Sequence, residues 1–265
     1  VGRTGTHVVE IAGTNRLPAA FALAHLGLLP DEPTAWTVDM KVGCVDALDY
    51  MTANKVFNQF LVLDEEPLLY HTGPRATFAE VRAAVSRVLP PERLRHVAFS
   101  HFEADECGAL NGFLEAATLA APLCGEVAAM VSVDDFASRP SRRLADGEEV
   151  RLGRRTVRWI ATPHLPHAWE CGHLLETTTA TLFCGDLFTQ GGDRHPPVTT
   201  EDILAPSEAM RAGLDYFSHS LHTPGLIERL ASESPTTLAC MHGASWQGDG
   251  AALLRALGRS LMAPA

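Results

Sequence analysis

From Asn58 onward, short apolar runs alternate with amphipathic segments, and this alternation limits the chain to a layered α/β arrangement with sheets inside and helices outside. Phe57 to Leu63 and Leu68 to His71 read as strands on either side of Asp64-Glu65-Glu66-Pro67. The next segment reads as a helix. Thr77 and Glu80 have the spacing of a capping box, Phe78, Val81, Val85 and Val88 share one face, and Pro90-Pro91 ends the run. Leu94 to Ser100 reads as a strand running into His101, a helix follows from about Ala109, and Leu123 opens another short strand. Thr156 to Ala161 is a further strand, and Leu174 to Thr177 with Thr181 to Cys184 reads as a hairpin ending at Gly185-Asp186. Helices are expected around Ser207 to Ser218 and Gly225 to Ser232. Thr236 to Cys240 is a last strand, and Asp249 caps a final helix with Leu253, Leu254, Leu257 and Leu261 turned inward.

Residues 57–265 are therefore expected to form one domain, preceded by an N-terminal segment, 1–56, whose pattern assigns no structure. Leu17 to Leu29 is apolar but is bracketed by Pro18 and Pro30, which suits a short helix and not a membrane span. A formal net charge of −11 argues against a nucleic-acid surface, which needs a basic stripe. Cys44, Cys107, Cys124, Cys171, Cys184 and Cys240 form no CxxC pair and no regular framework, a spacing that suits reduced thiols and a cytoplasmic location.

The chemistry-bearing residues follow the strands. Ser100-His101-Phe102-Glu103-Ala104-Asp105-Glu106 sets acid and imidazole groups on alternate residues from His101 to Asp105. His164-Leu165-Pro166-His167, Gly185-Asp186 and Met241-His242-Gly243 follow three later strands, where a rigid sheet presents functional groups. Taken singly, each has a plainer reading: His242 as a hydrogen-bonded structural residue, Asp186 as a turn residue, and the acidic run as a solvated loop or a helix N-terminus. Their joint occurrence in this order favours a metal site.

The order His-x-Glu-x-Asp, His, Gly-Asp, His-Gly resembles the metallo-β-lactamase superfamily, whose fold is an αββα sandwich. Within it, the order is similar to the diiron cores of flavodiiron and oxygen-binding diiron proteins. The resemblance runs from about Phe57 to Trp246. Hydrolases of the superfamily carry His-x-His-x-Asp-His at the first motif, and Glu103 stands where their second His would be, as in the diiron branch. The resemblance assigns His101, Glu103 and His167 to one metal, Asp105 and His242 to the second, and Asp186 to a bridge between them. It makes Asp186 and Glu103 the residues on which the chemistry turns. His167 is chosen over His164 because Glu170 follows it by three residues, as in the family. Two departures stand out. Glu106 occupies a position that is usually His and would either add an oxygen ligand to the second metal or leave that metal an open position. His71 replaces an Asp at a strand end, as a partner orienting a ligand or as packing.

Three histidines and three carboxylates suit iron better than zinc, which prefers tetrahedral His and Cys sites, although such a set also accepts zinc or manganese. The resemblance thus implies two iron ions that bind dioxygen or NO, as an oxygen sensor or as an oxidoreductase core, in a homodimer. No Gly-x-Gly-x-x-Gly element follows a strand, and the chain ends soon after its last helix, so no flavin is expected and electrons would come from a separate donor protein. Two other functions remain open: a binuclear hydrolase, in which a bridging hydroxide attacks an ester, thioester or phosphodiester, and a scaffold with a purely structural metal.

Overall fold

The computed structural model describes residues 7–9, 35–40, 57–192 and 194–262 of the chain. The apolar segment Leu17 to Leu29 and Cys44 lie outside the described residues. Two sheets face one another. The first has the order β1 (His7–Val9), β2 (Ala35–Met40), β3 (Phe57–Val62), β4 (Leu68–Tyr70), β5 (His96–Ala98), β6 (Ala121–Gly125) and β7 (Arg142–Leu144). The second sheet comprises β8 (Glu149–Arg151), β9 (Thr156–Ala161), β10 (Gly172–Glu176), β11 (Thr181–Gly185), β12 (Val198–Thr199), β13 (Thr237–Cys240) and β14 (Ser245–Gln247), in the spatial order β12-β14-β13-β11-β10-β9-β8.

The layers follow from the period-two alternation of strand side chains. Leu61, Leu69 and Val97 point to one side of the first sheet, where they pack with Val81, Val85, Leu110 and Phe113 from helices α1 (Phe78–Ser86) and α3 (Leu110–Ala116). A single helical turn, α2 (Ala104–Cys107), lies between those two helices. Phe60, Val62, Leu68, Tyr70 and Ala98 point the other way and meet Val157, Trp159, Leu174, Phe183 and Ala239 of the second sheet. The outer face of that sheet, with Leu175, Leu182 and Cys240, is covered by Ile227, Leu230, Leu254 and Leu257. These come from two of the helices α4 (Glu126–Ala128), α5 (Asp134–Phe136), α6 (Leu204–Leu214), α7 (Thr223–Ser232) and α8 (Gly250–Leu261), namely α7 and α8. Strands such as β3 and β11 are buried on both faces, and each fully buried Leu or Phe contributes about 1.5–3 kcal/mol through removal from water. The result is the αββα sandwich expected from the sequence.

Local details depart from expectation in places. Thr77 does precede α1, but its hydroxyl donates to Pro74 O (2.9 Å) and does not cap the helix, so the capping box does not form. Asp249 caps α8 as expected, accepting from Ala252 N (2.9 Å). Cys107, Cys124, Cys171, Cys184 and Cys240 are buried free thiols. Among the described residues no helix is long and apolar enough to cross a membrane.

Register explains why the candidate residues converge. Ala161 pairs with Gly172, and Gly185 pairs with Cys240, so β9, β11 and β13 release their following loops at one end of the second sheet. Strand β5 of the first sheet delivers His101 to the same end. Two backbone bonds tie the sheets together there: Gly172 N to Ser100 O (2.9 Å) and Asn58 N to Met241 O (2.8 Å).

Candidate metal centre

Four side chains meet at a point. His101 Nε2 lies 2.8 Å from Glu103 Oε2 and 2.9 Å from His167 Nε2, and His167 Nε2 lies 3.2 Å from the same Glu103 oxygen. Asp186 Oδ2 closes the group at 3.8 Å from His101 Nε2 and 3.4 Å from His167 Nε2. These four residues have the mutual spacing of a metal-ligand set. The other oxygen of Asp186, Oδ1, faces away from them, 3.0 Å from His242 Nε2, and Asp105 Oδ2 lies 3.5 Å from that same nitrogen. One carboxylate therefore presents an oxygen to each of two groups, the arrangement a bridge between two cations requires.

Each ligand candidate has a local reason for its place. Asp186 follows Gly185, whose φ of 48° and whose lack of a side chain are both needed, since a Cβ there would collide with Ser100 Oγ. His242 precedes Gly243 (φ 97°), and the loop around it is clamped by two buried amides. Asn58 Nδ2 donates to Cys240 O and Gly243 O, both at 2.8 Å; Gln190 exchanges bonds with Ala244 while its backbone N–H donates to His242 O (3.1 Å). Glu103 is the residue before α2, and Asp105 lies within that turn. The acidic run is thus a helix N-terminus, where carboxylates oppose the dipole, and it supplies two of the clustered carboxylates as well.

The residues left open by the sequence now have positions. Glu106 is fully buried and does not reach the second group; it sits behind His101, accepting from Ser100 N (2.7 Å) and His101 N (3.0 Å). His71, also fully buried, lies with its Nε2 3.4 Å from Glu106 Oε2. Glu170 Oε1 accepts from Phe102 N (3.1 Å), pinning the backbone between His101 and Glu103. His164 is exposed at φ 65° and stands outside the four-residue group, which contains His167.

Some contributors had no signal in the sequence. His167 Nδ1 lies 3.0 Å from Tyr216 O, so its N–H donates there and Nε2 is the nitrogen turned to the cluster. Tyr216 also donates its hydroxyl to Asp186 O (3.3 Å). Buried His173 accepts at Nδ1 from Thr162 Oγ1 (2.7 Å) and donates from Nε2 to Cys184 O (3.1 Å), bracing the strand that carries Asp186.

Electrostatics favours positive charge at this point. Burial works to lower the pKa of His101, but Glu106, Cys171, Glu103 and Asp186 outweigh it and hold it well above the ordinary range. Hydrogen bonds from His101 and His167 keep the Glu103 carboxyl far below the usual carboxylate value. Burial opposes ionisation of Asp186, yet His242, His101 and His167 keep it ionised. Burial raises Asp105 despite the opposing pull of His242, with the charges of Asp186 and Glu103 adding to the rise. A cation fits this set for a further reason: buried Asp186 Oδ1 faces His242 Nε2 at 3.0 Å without well-formed hydrogen-bond geometry, a cost a bound metal removes.

A family model described as ODP family beta lactamase matches residues 56–243, well over half of the chain. This chain belongs to the ODP family of beta lactamases. Its fold is that of the metallo-β-lactamase superfamily. Rubredoxin-oxygen oxidoreductase from Megalodesulfovibrio gigas is 28% identical over 108 residues, covering 40% of this chain and 27% of that protein. A variant of the flavo di-iron protein from Thermotoga maritima superposes with a TM-score of 0.71 at 16% identity, over 88% of this chain and 60% of its own. The flavodiiron protein from Giardia intestinalis gives a TM-score of 0.63 at 20% identity, over 78% and 52%. This ODP-family chain thus shares the fold of flavodiiron cores while spanning only part of the length of these relatives.

Proposed function

We propose that the centre holds two iron ions and binds dioxygen or NO, acting as an oxygen sensor or as the metal core of an oxidoreductase supplied by a separate electron donor. The observation that supports this most is Asp186, with one oxygen turned to His101 and His167 and the other to His242. His101, Glu103 and His167 would hold the first ion, Asp105 and His242 the second, with Asp186 shared. A ferrous pair held by these residues would supply the reducing electrons for a diatomic ligand. The chain's own residues orient and tune. The Tyr216 carbonyl keeps the His167 lone pair on the metal side, Glu170 fixes the Phe102 backbone, and Asn58 and Gln190 hold the His242 loop. Three carboxylates offset the charge of an oxidised pair and favour a harder ion than zinc.

The resemblance to flavodiiron cores, and the name of the M. gigas relative, support dioxygen chemistry with a redox partner. A cytoplasmic homodimer is the assembly and location that accompany this reading. The family's description as a beta lactamase favours a second reading, metal-assisted hydrolysis of an ester, thioester or phosphodiester. Protein purified anaerobically and exposed to oxygen or NO separates the two. The first reading expects a visible absorption band that changes with either gas, and no turnover of generic esters. A spectrum indifferent to both gases, with ester turnover that needs no reductant, would replace it with the hydrolase.

A further inference from the structure

Glu106 stands where the related motif places a histidine, yet it is turned away from the second group of ligands and lies beneath the first. Every group within bonding distance of its oxygens is a donor. Oε2 accepts from Ser100 N (2.7 Å) and His101 N (3.0 Å), and Oε1 accepts from Ser100 Oγ (2.6 Å). His71 Nε2 lies 3.4 Å from Oε2, and His101 Nδ1 lies 3.3 Å from Oε1. A carboxylate only accepts, so the Ser100 hydroxyl hydrogen is committed to Oε1. Ser100 Oγ lies 2.9 Å from His101 Nδ1 and, with its hydrogen spent, can only accept there. A proton of His101 is thereby held on Nδ1, so the nitrogen that gives up its proton to a metal is Nε2, which faces Glu103, His167 and Asp186.

We infer that Glu106, which commits the Ser100 hydroxyl and itself faces His101 Nδ1 at 3.3 Å, is a positioning residue that fixes the tautomer and orientation of His101 for the first metal. An amide in its place breaks the logic. In Glu106→Gln the new side-chain N–H would donate to Ser100 Oγ, freeing the Ser100 hydroxyl to donate to His101 Nδ1 and leaving a hydrogen on Nε2, where the metal must bind. The inference rests on reading the cluster as a metal centre, but not on iron or dioxygen, so zinc serves as the probe.

The test is competition between the full chain and a chromophoric chelator for zinc, in the wild type, Glu106→Gln and Ser100→Ala, with circular dichroism to confirm folding. Glu106→Gln should weaken the first zinc equivalent by about 10- to 100-fold, the usual cost of losing such a partner. Ser100→Ala keeps the carboxylate and both of its backbone bonds and leaves Nδ1 opposite Oε1, so it should hold zinc within roughly threefold of the wild type. In the iron-loaded protein, Glu106→Gln should also raise the reduction potential, because a negative charge behind a ligand is removed, and Glu106→Asp should restore it towards the wild-type value. A folded Glu106→Gln protein with wild-type zinc affinity would overturn the inference. So would a loss in Ser100→Ala as large as that in Glu106→Gln, which would assign the effect to the hydroxyl. If Glu106→Gln does not fold, the Ser100→Ala result still decides. A wild-type chain that binds no zinc or iron would instead refute the metal centre itself.

Discussion

Replacing Asn58 by alanine should loosen the His242 loop while leaving the backbone bond from Asn58 N to Met241 O in place. Asn58 is 1% exposed, and its Nδ2 donates to Cys240 O and Gly243 O, both at 2.8 Å, across 182 and 185 residues of sequence. Each buried bond contributes about 1 kcal/mol net, and each carbonyl left unpaired away from water costs about 1–3 kcal/mol. Against this, the buried Oδ1 of Asn58 has no partner, and its removal returns part of the loss. The net expectation is a destabilisation of about 2–3 kcal/mol. Asn58→Asp should cost more, because a carboxylate would face two carbonyl oxygens with no proton to offer. Urea unfolding of metal-free protein gives the stability change, and metal analysis gives the functional one, with His242 loosened and the second equivalent bound more weakly. If Asn58→Ala unfolds at the wild-type urea concentration and binds both equivalents normally, the clamp has no role in holding His242.

Three further outcomes follow from buried groups and ligands. Arg155 and Glu176 are 1% and 0% exposed and pair at 3.1 Å, with Glu176 also accepting from Thr178 N (3.0 Å) and Thr179 N (2.9 Å). Glu176→Ala should therefore cost about 3–5 kcal/mol in urea unfolding by removing the carboxylate of a buried ion pair. Burial lowers the pKa of His173 from 6.5 to about 4, so below pH 6.5 the unfolded chain takes a proton that the folded chain refuses. The wild type should lose about 2–3 kcal/mol more than His173→Asn between pH 7 and about pH 4.5, and equal slopes would show that His173 is not buried neutral. Glu103→His should shift the metal content of purified protein towards zinc, as measured by elemental analysis; unchanged iron content would sink the argument that the carboxylate selects the metal.

The candidate ligands were legible because their signal is local: His101, Asp186 and His242 each come within three residues after an apolar strand, and β9 pairs in register with its neighbour so that His167 emerges at the same end. The groups that hold them were not legible. Asn58, Gln190 and Tyr216 act on or through backbone carbonyls distant in sequence, and an Asn or Tyr carries no mark of which carbonyl it will meet. Glu106 illustrates the limit in a single residue: the motif gave its position beside Asp105, while the turn of α2 decided that it would point beneath His101 and not towards His242. The segment 126–136 escaped the pattern because Val127, Met130, Val131 and Phe136 are exposed while Ala129 and Val133 are buried, so its apolar residues do not mark one face. Met130 is 69% exposed, and the middle of the segment is a π-helical stretch, Ala129–Val133, with no 3.6-residue period to read.

The central claim is that one carboxylate, Asp186, joins two irons, and the most direct test is elemental analysis of wild-type and Asp186→Ala protein purified without added metal. The account predicts about two irons per wild-type chain and at most one in Asp186→Ala, since each oxygen of that side chain serves a different ion. Zinc in place of iron in the wild type, or two irons retained in the variant, would contradict it.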